Sequence, residues 1–330
     1  MDDHNYPLVS YVVQTYNHAK FAEDAMASAL SQDYPNLEII ISDDASSDGT
    51  FDILQQYLQK HPTDKKIVLN RNEKNMGVVP HLNHLVQHFA HGDIIILTGG
   101  DDISLPDRTS RSVEKMLALG VDCLGTNYQY IDGAGQKQER FGLQGDQADV
   151  KYTIVDYIKN IPITPLGPTK IFHRQLYDVF GTLNDDCQTE DSTLTFRALL
   201  LNGIGRISTV CVLYRWHENN LSAHDSLMTK INPTLIYRQY KSDLTTAYRK
   251  GFISQMQYIK ASRLIYDYKL AGIFVRDLYK ATGIWKKHLL GLLFVLNPCV
   301  LKRHRDPQWL SYVCPELYMV RTKIRCMLKK

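Results

Sequence analysis

The sequence predicts an α/β protein with a mostly parallel central sheet flanked by helices, followed by a helical C-terminal extension. Three features predict it. Short runs of β-branched and aliphatic residues alternate with segments of helical spacing through the first third of the chain. Two of those runs, in EIIISDD and DIIILTGGDD, are apolar at successive positions, the pattern of strands buried on both faces. From about residue 228 the pattern turns helical and rich in Tyr, Lys and Arg. The alternation implies right-handed crossovers and a sheet covered on both sides. The change of pattern divides the chain into an expected domain over 1–227 and a basic helical region over 228–330.

In order, residues 8–13 (LVSYVV) read as a buried strand, and 18–32 as a helix with Phe21, Ala25 and Ala29 on one face. A strand is expected over 37–42 and a helix over 50–61, with Ser46, Ser47, Asp48 or Thr50 able to cap it. A short strand over 67–69, a helix over 80–90 and a fourth strand over 93–97 follow. After Pro106 come a helix over 108–119 and a strand near 122–130. The polar stretch 132–149 reads as a hairpin turn or loop, and Pro162, Pro165 and Pro168 mark a second irregular region. Residues 190–201 read as a helix and 207–215 as a strand.

At 330 residues, 44% hydrophobic and 22% charged, the chain suits a soluble globular protein with one large domain and an appendage, or with two domains. Its six cysteines (123, 187, 211, 299, 314 and 326) form no CxxC pair, so a reduced, cytoplasmic setting is expected. The acidic start, MDDHNYPLVS, does not have the pattern of a secretory signal. The net charge of +3 is unevenly spread. Ten Lys/Arg against Asp306 and Glu316 give residues 286–330 a net +8, which leaves −5 for the rest. A basic end on an acidic body points to an anionic surface as partner.

Both apolar runs end in paired acids, Asp43 and Asp44, then Asp101 and Asp102. Ligands of open α/β sheets bind beyond the C-terminal ends of the strands. Carboxylates gathered there repel one another unless something positive sits among them. A divalent metal on a phosphate answers that need, because hard cations prefer carboxylate oxygen. Gly99 and Gly100 remove side chains where a ligand would approach.

Four stretches carry a resemblance: VSYVVQTYNHAKFAEDAMASALSQDYPNLEIIISDDASSDGT, NMGVVPHLNHLVQHFAHGDIIILTGGDDISLPDR, TEDSTLTFRAL and YRWHENNLS. In this order they resemble a family 2 glycosyltransferase of the inverting GT-A (Rossmann-like) fold, over roughly residues 8–222. The resemblance implies that Thr15, Asn17 and Asp44 hold the nucleobase and ribose of a nucleotide-sugar donor, with Asp43 beside them shaping the turn. It implies that Gly77 and Asn83 line the nucleotide site, next to Gly100. Asp101 matches the second acid of the family's metal-gripping DxD motif, and Asp102 is the acid that often follows. Gly99 departs from the pattern, since many members carry the first Asp there, and this implies a weaker grip on the metal, Mn or Mg. His217 matches a histidine that reaches the metal or the diphosphate, and neutral imidazole suits such ions. Asp191, in TED, matches the catalytic base that takes the acceptor hydroxyl's proton. Without the upstream motifs, TED would read as acids that favour a helix N-terminus.

Other residues have simpler readings. His81, His84, His88 and His91 fall on one helical stripe, read as a solvated edge because no acid or Cys completes a tetrahedral set. Lys170, His173 and Arg174 suit a phosphate or a basic strand edge equally. Arg215 and Trp216 are expected to flank the site. The segment HLLGLLFVLNPCVLKRHR is too short to span a bilayer but suits the interface, with Lys286, Lys287, Lys302, Arg303 and Arg305 on anionic headgroups; the alternative is a helix packed back on the catalytic domain, with a soluble acceptor. The expected protein is therefore cytoplasmic, peripheral on the inner face of the cell membrane. Its expected acceptor is a saccharide on a lipid carrier, and no nucleic acid is expected as partner. A nucleotidyltransferase and an inactive sugar-nucleotide-binding protein are the alternatives. The loop QTYNHAK lacks the glycines of the former, and no P-loop motif occurs.

Overall fold

The computed structural model describes residues 6–143, 148–161, 163, 167–217, 220 and 232–280. Strands β1 (Val9–Thr15), β2 (Leu37–Asp43), β3 (Lys66–Arg71) and β4 (Ile94–Gly99) form the parallel half of one sheet, in the order β3-β2-β1-β4. Helices α1 (Ala22–Leu30), α2 (Thr50–Lys60) and α3 (Val78–His88) make the crossovers. Strands this apolar need cover on both faces, and they receive it. Tyr11, Val13, Ile39 and Ile41 pack with Ala22, Ala25 and Met26 of α1, whereas Val12 and Ile40 pack with Leu82, Leu85 and Val86 of α3. The two-residue period of the strands thus feeds two cores. Helix α3 starts two residues earlier than its periodicity suggests, and Pro80 is tolerated in its first turn, where no intrahelical donor is needed.

The second half of the sheet mixes directions. After β5 (Ile103–Ser104) and α4 (Arg108–Leu119) come β6 (Cys123–Ile131), β7 (Lys137–Phe141), β8 (Val150–Tyr152), β9 (Lys170–His173) and β10 (Ile204–Arg215). The order continues β4-β9-β6-β10-β5, with β9 antiparallel to both neighbours and β6 parallel to β10. The polar stretch after β6 is a hairpin, since β7 pairs back on it. Strands β5, β8 and β9 are too short to show a period, and the helices α5 (Ile154–Ile158) and α6 (Gln175–Phe180) span less than two turns, which hides them from pattern reading. Because β9 runs antiparallel to β4, its first residue, Lys170, lies toward the C-terminal end of β4, opposite Gly125 of β6.

Helix α7 (Glu190–Leu200) is followed beyond β10 by α8 (Pro233–Arg249) and α9 (Gln255–Lys280). Leu244, Ala247, Ala261, Leu264 and Ile265 of these last helices belong to the same buried cluster as Val12 and Ile40. An ion pair fixes them. Arg197 of α7 is fully buried, and its Nε and Nη2 donate to Asp243 of α8 at 3.0 and 3.1 Å. The remaining donors satisfy the carbonyls of Leu176, Gly181 and Thr182. The sequence places Arg197 beside the expected base, and its work is at this seam instead. No helix among the described residues is long and apolar enough to cross a membrane. The basic segment 286–330, with the interfacial reading made of it, lies outside the described residues.

Removing one partner of a buried pair leaves a charge without compensation. Asp243→Ala is therefore expected to cost about 3–5 kcal/mol of stability, read by chemical denaturation. Joint replacement Arg197→Met with Asp243→Leu is expected to recover most of that loss.

Candidate active site

Asp43 and Asp44 end β2 but have different tasks. The Asp43 carboxylate is fully buried and accepts from the Ser46 amide (2.9 Å), the Ser46 hydroxyl and Thr15 Oγ1 (3.2 Å). It shapes the turn. Asn17 supports the same loop: it adopts φ +55°, receives Ser47 N on its side-chain oxygen (3.0 Å) and donates its amide to Ser46 Oγ (2.8 Å). Asp44 reaches the next loop, with Oδ1 accepting from Asn72 Nδ2 (2.8 Å) and Met76 N (2.9 Å), and Oδ2 from Gly77 N (2.9 Å). Gly77 has φ +83°, a conformation that glycine adopts without strain.

Asn83 does not line this edge. It is buried, and it clamps Leu183 by donating Nδ2 to its carbonyl (2.8 Å) and accepting its amide on Oδ1 (3.0 Å). A side chain that binds both backbone groups of one residue is spent on the fold. The histidine stripe also needs correction at one member. His81 is buried and shares a 2.7 Å hydrogen bond with Ser42 Oγ. Burial pushes its imidazole below the ordinary value, despite the opposing charges of Asp44 and Asp43.

The acids after β4 also differ from one another. Asp101 is partly open, and its Oδ2 lies 3.1 Å from His217 Nε2 and 3.8 Å from His18 Nε2. Burial raises its carboxyl, but the hydrogen bond from His217 and the charge of His18 outweigh that and hold it below the ordinary range. Asp102 is interior, and its Oδ1 accepts from Arg215 N at 2.9 Å. Burial, and then the Asp101 charge, push it well above the ordinary range. Of the two acids after β4, only Asp101 reaches the partly open edge, while Asp102 is enclosed with Oδ1 bonded to the main chain.

The glycines serve packing as well as access. A β-carbon at Gly100 would overlap Thr15 Cγ2 and come within 2.8 Å of His18 Nδ1. One at Gly99 would sit 2.5 Å from Asp101 Oδ1. The missing first Asp of the motif therefore leaves the space that the Asp101 carboxylate occupies.

Arg215 ties these pieces together. Its Nε donates to Asp101 O (2.9 Å), its Nη2 to Asp24 Oδ2 (2.7 Å), and its guanidinium stacks over Phe21 at 4.7 Å. Trp216 is 40% exposed and packs edge-on against Tyr130 and Tyr214.

Asp191 opens α7, where the helix N-terminus favours negative charge. Its side chain is 36% exposed, and Oδ1 lies 3.2 Å from Nζ of Lys170, itself almost fully buried at the head of β9. A β-carbon at Gly167 would overlap Asp191 Oδ2, so glycine leaves the carboxylate its room. Glu190 is pushed up to about 8 by burial, then by the charge and hydrogen bond of Asp191. The other two basic candidates of that region have structural partners. Arg174 donates to the carbonyls of Ala90 and Val86 at the end of α3, and His173 Nδ1 accepts from Gln175 N.

Thr15, Asp44, Asp101 and Asp191 thus share one edge. Asp44 N donates to Thr15 O, Gly100 N to Gln14 O, and Lys170 brings α7 to the strand ends. Sequence reasoning missed His18, Lys170 as the partner of Asp191, and Arg215 as organiser. The close spacing of Asn17 and His18 after β1 was the available signal for the first. Among the described residues, no group of three or more His, Cys, Asp or Glu side chains is placed to hold a metal ion.

A parallel half, a mixed second half and acids along their common edge match the GT-A fold of glycosyltransferases. Residues 10–180, just over half of the chain, match glycosyl transferase family 2, and the chain belongs to that family. It is 38% identical over 139 residues to the putative glycosyltransferase EpsE of Bacillus subtilis, covering 42% of this chain and 47% of EpsE. The chain thus spans about half the length of this curated relative. It is 27% identical over 227 residues to the UDP-Glc:alpha-D-GlcNAc-diphosphoundecaprenol beta-1,3-glucosyltransferase WfgD of Escherichia coli, covering 68% of this chain and 82% of WfgD. S. aureus TarS 1-349, solved in complex with UDP-GlcNAc, shares the fold with a TM-score of 0.59 at 19% identity, covering 92% of this chain and 79% of TarS.

A carboxyl raised on folding stabilises the fold fully below its unfolded value and loses that contribution as pH rises toward the folded one. For Glu190 the window runs from its ordinary 4.5 to about 8. Glu190→Gln is therefore expected to gain stability relative to the parent as pH rises through this window, read as the difference in thermal midpoints.

Proposed function

We propose that the chain is an inverting glycosyltransferase that moves a sugar from a UDP-sugar to a hydroxyl of a lipid-linked saccharide in surface-polysaccharide assembly. One observation carries this reading: the carboxylates of Asp101 and Asp191 stay partly open at the sheet edge, while Asp43, Asp44 and Asp102 are buried and hydrogen-bonded to the protein. Asp44 and Thr15 sit where the parallel strands end, the place where nucleotides bind in such sheets. Asp191 is the base. It takes the proton of the acceptor hydroxyl as that oxygen attacks the anomeric carbon from the face opposite the diphosphate. Lys170 orients the carboxylate from below. Glu190, neutral at physiological pH by its raised value, adds no second charge beside it.

Asp101 and His217 fit a divalent ion, Mn or Mg, as two donors of a set that phosphate oxygens and water complete. His18 supports that fit, because its buried Nδ1 has no hydrogen-bond partner and its Nε2 faces Asp101. When bound, the ion offsets the charge that grows on the leaving diphosphate. The name of WfgD, with its diphosphoundecaprenol-linked acceptor, supports a lipid-linked saccharide here. That acceptor chemistry supports a place at the inner face of the cell membrane.

Asp191→Asn is expected to leave the dissociation constant for the UDP-sugar within about twofold and to lower transfer by about 100-fold or more. Loss of donor binding in that variant overturns the assignment. Asp101→Asn is expected to abolish the thermal stabilisation that UDP gives in the presence of Mn.

A further inference from the structure

We propose that the groove between α8 and α9 is a subsite for the diphosphate of the acceptor's lipid carrier. The groove has a volume of about 520 Å³ and is lined by Arg238, Lys241 and Arg249 of α8 and Lys269 of α9, with the hydroxyls of Thr234 and Thr245 among them. No carboxylate lines it. Thr234, Arg238, Lys241, Thr245 and Arg249 recur every three or four residues and so form one stripe of α8, opposite the face that buries Gln239, Asp243, Leu244 and Ala247. An ordinary solvated helix face intersperses acids with its bases. Here the one acid of α8, Asp243, is buried on the other side with Arg197.

Four cations and two hydroxyls around a concave space match a compact, multiply charged anion with several acceptor oxygens. Guanidinium forks and ammonium groups bind phosphate oxygens, and hydroxyl donors complete the set. Basic pockets of this kind hold lipid phosphates. The volume lies in the range of small-ligand sites. Two of the cations are already held in place: Lys269 Nζ lies over the rings of Tyr237 (4.8 Å) and Tyr266 (5.7 Å), and Arg238 pairs with Asp186 at 2.7 Å. Among the described residues, no acid pairs with Lys241, Arg249 or Lys269.

The position favours the acceptor over the donor. One end of the groove touches the segment that leads into α7: Asn232 N donates to Gln188 Oε1 at 2.5 Å, and Arg238 of the stripe pairs with Asp186 at 2.7 Å. Gln188 lies three residues before the base, while the donor's expected contacts, Thr15, Asp44 and Asp101, lie at the ends of strands β1, β2 and β4 or just beyond them. A saccharide whose hydroxyl meets Asp191 could leave its phosphate-bearing end along α8. The inference rests on the lipid-linked acceptor proposed above.

The test is titration of the full chain with geranyl diphosphate in EDTA, which removes metal-dependent binding at Asp101. The parent protein is compared with a Lys241→Glu, Lys269→Glu double variant and with the milder Lys241→Gln, Lys269→Gln pair. Both pairs are expected to melt as the parent does without ligand. The Glu pair is expected to weaken geranyl diphosphate by about tenfold or more, and the Gln pair by less. Equal binding by parent and both variants overturns the subsite. So does a variant that keeps geranyl diphosphate affinity but no longer pellets with phosphatidylcholine vesicles containing phosphatidylglycerol, since the groove would then serve bilayer headgroups. Failure of the parent to bind any nucleotide sugar with Mn refutes the glycosyltransferase reading instead, whatever the geranyl diphosphate titration gives.

Discussion

The site depends on a buried cation. Arg215 ends β10 almost without exposure, and everything near Asp101 is referred to it. Its backbone amide holds Asp102, its guanidinium holds the Asp101 carbonyl, and one arm crosses to Asp24 on α1. A guanidinium cannot shed its proton in a protein, so burial must be met with acceptors, and it is. The main chain of Asp101 is thereby fixed while its carboxylate stays free to face His18 and His217. Two adjacent acids gain separate chemical characters because one accepts from an interior amide and the other meets histidines at a partly open edge.

The same device recurs at each seam between the two halves of the molecule. Arg108 runs under β4, donating to the Leu97 and Pro168 carbonyls and to Ser104 Oγ. Lys170 joins β9 to the start of α7, and Arg197 joins α7 to α8. Each of these cations is nearly or fully buried. Burying so many charges is costly, and apolar residues would pack as well. Directional bonds, though, set the angle of each element, and the base role proposed for Asp191 needs that more than added stability.

The parallel half was readable because its strands repeat a strong signal: a long apolar run, a polar loop, then an amphipathic helix. The paired acids were readable as a site for the same reason, since nothing in a buried strand calls for them. What stayed hidden were long-range partners. Asn83 occupies a position that resembles a nucleotide contact, yet its amide meets Leu183, a hundred residues away in sequence. Asp43 and Asp44 look alike on paper, and only the loops that fold against them separate turn-maker from edge group. Lys170 reads as an ordinary base in a short strand until β9 is seen to run backwards and deliver it to Asp191. Pairing across such separations leaves no local period to detect.

The reversed strand also constrains how the chain can assemble. Strands β4 and β6 do not touch each other's edges; β9 lies between them and is made last of the three. Until residues 170–173 have been synthesised, both neighbours present unsatisfied hydrogen-bonding rows, which invite pairing with other chains. The parallel half can gather early around its own crossovers, but the sheet closes only when a late segment is threaded between two earlier ones. Such high contact order slows the final step. A nascent chain stalled before that point would carry two open edges and lack α7.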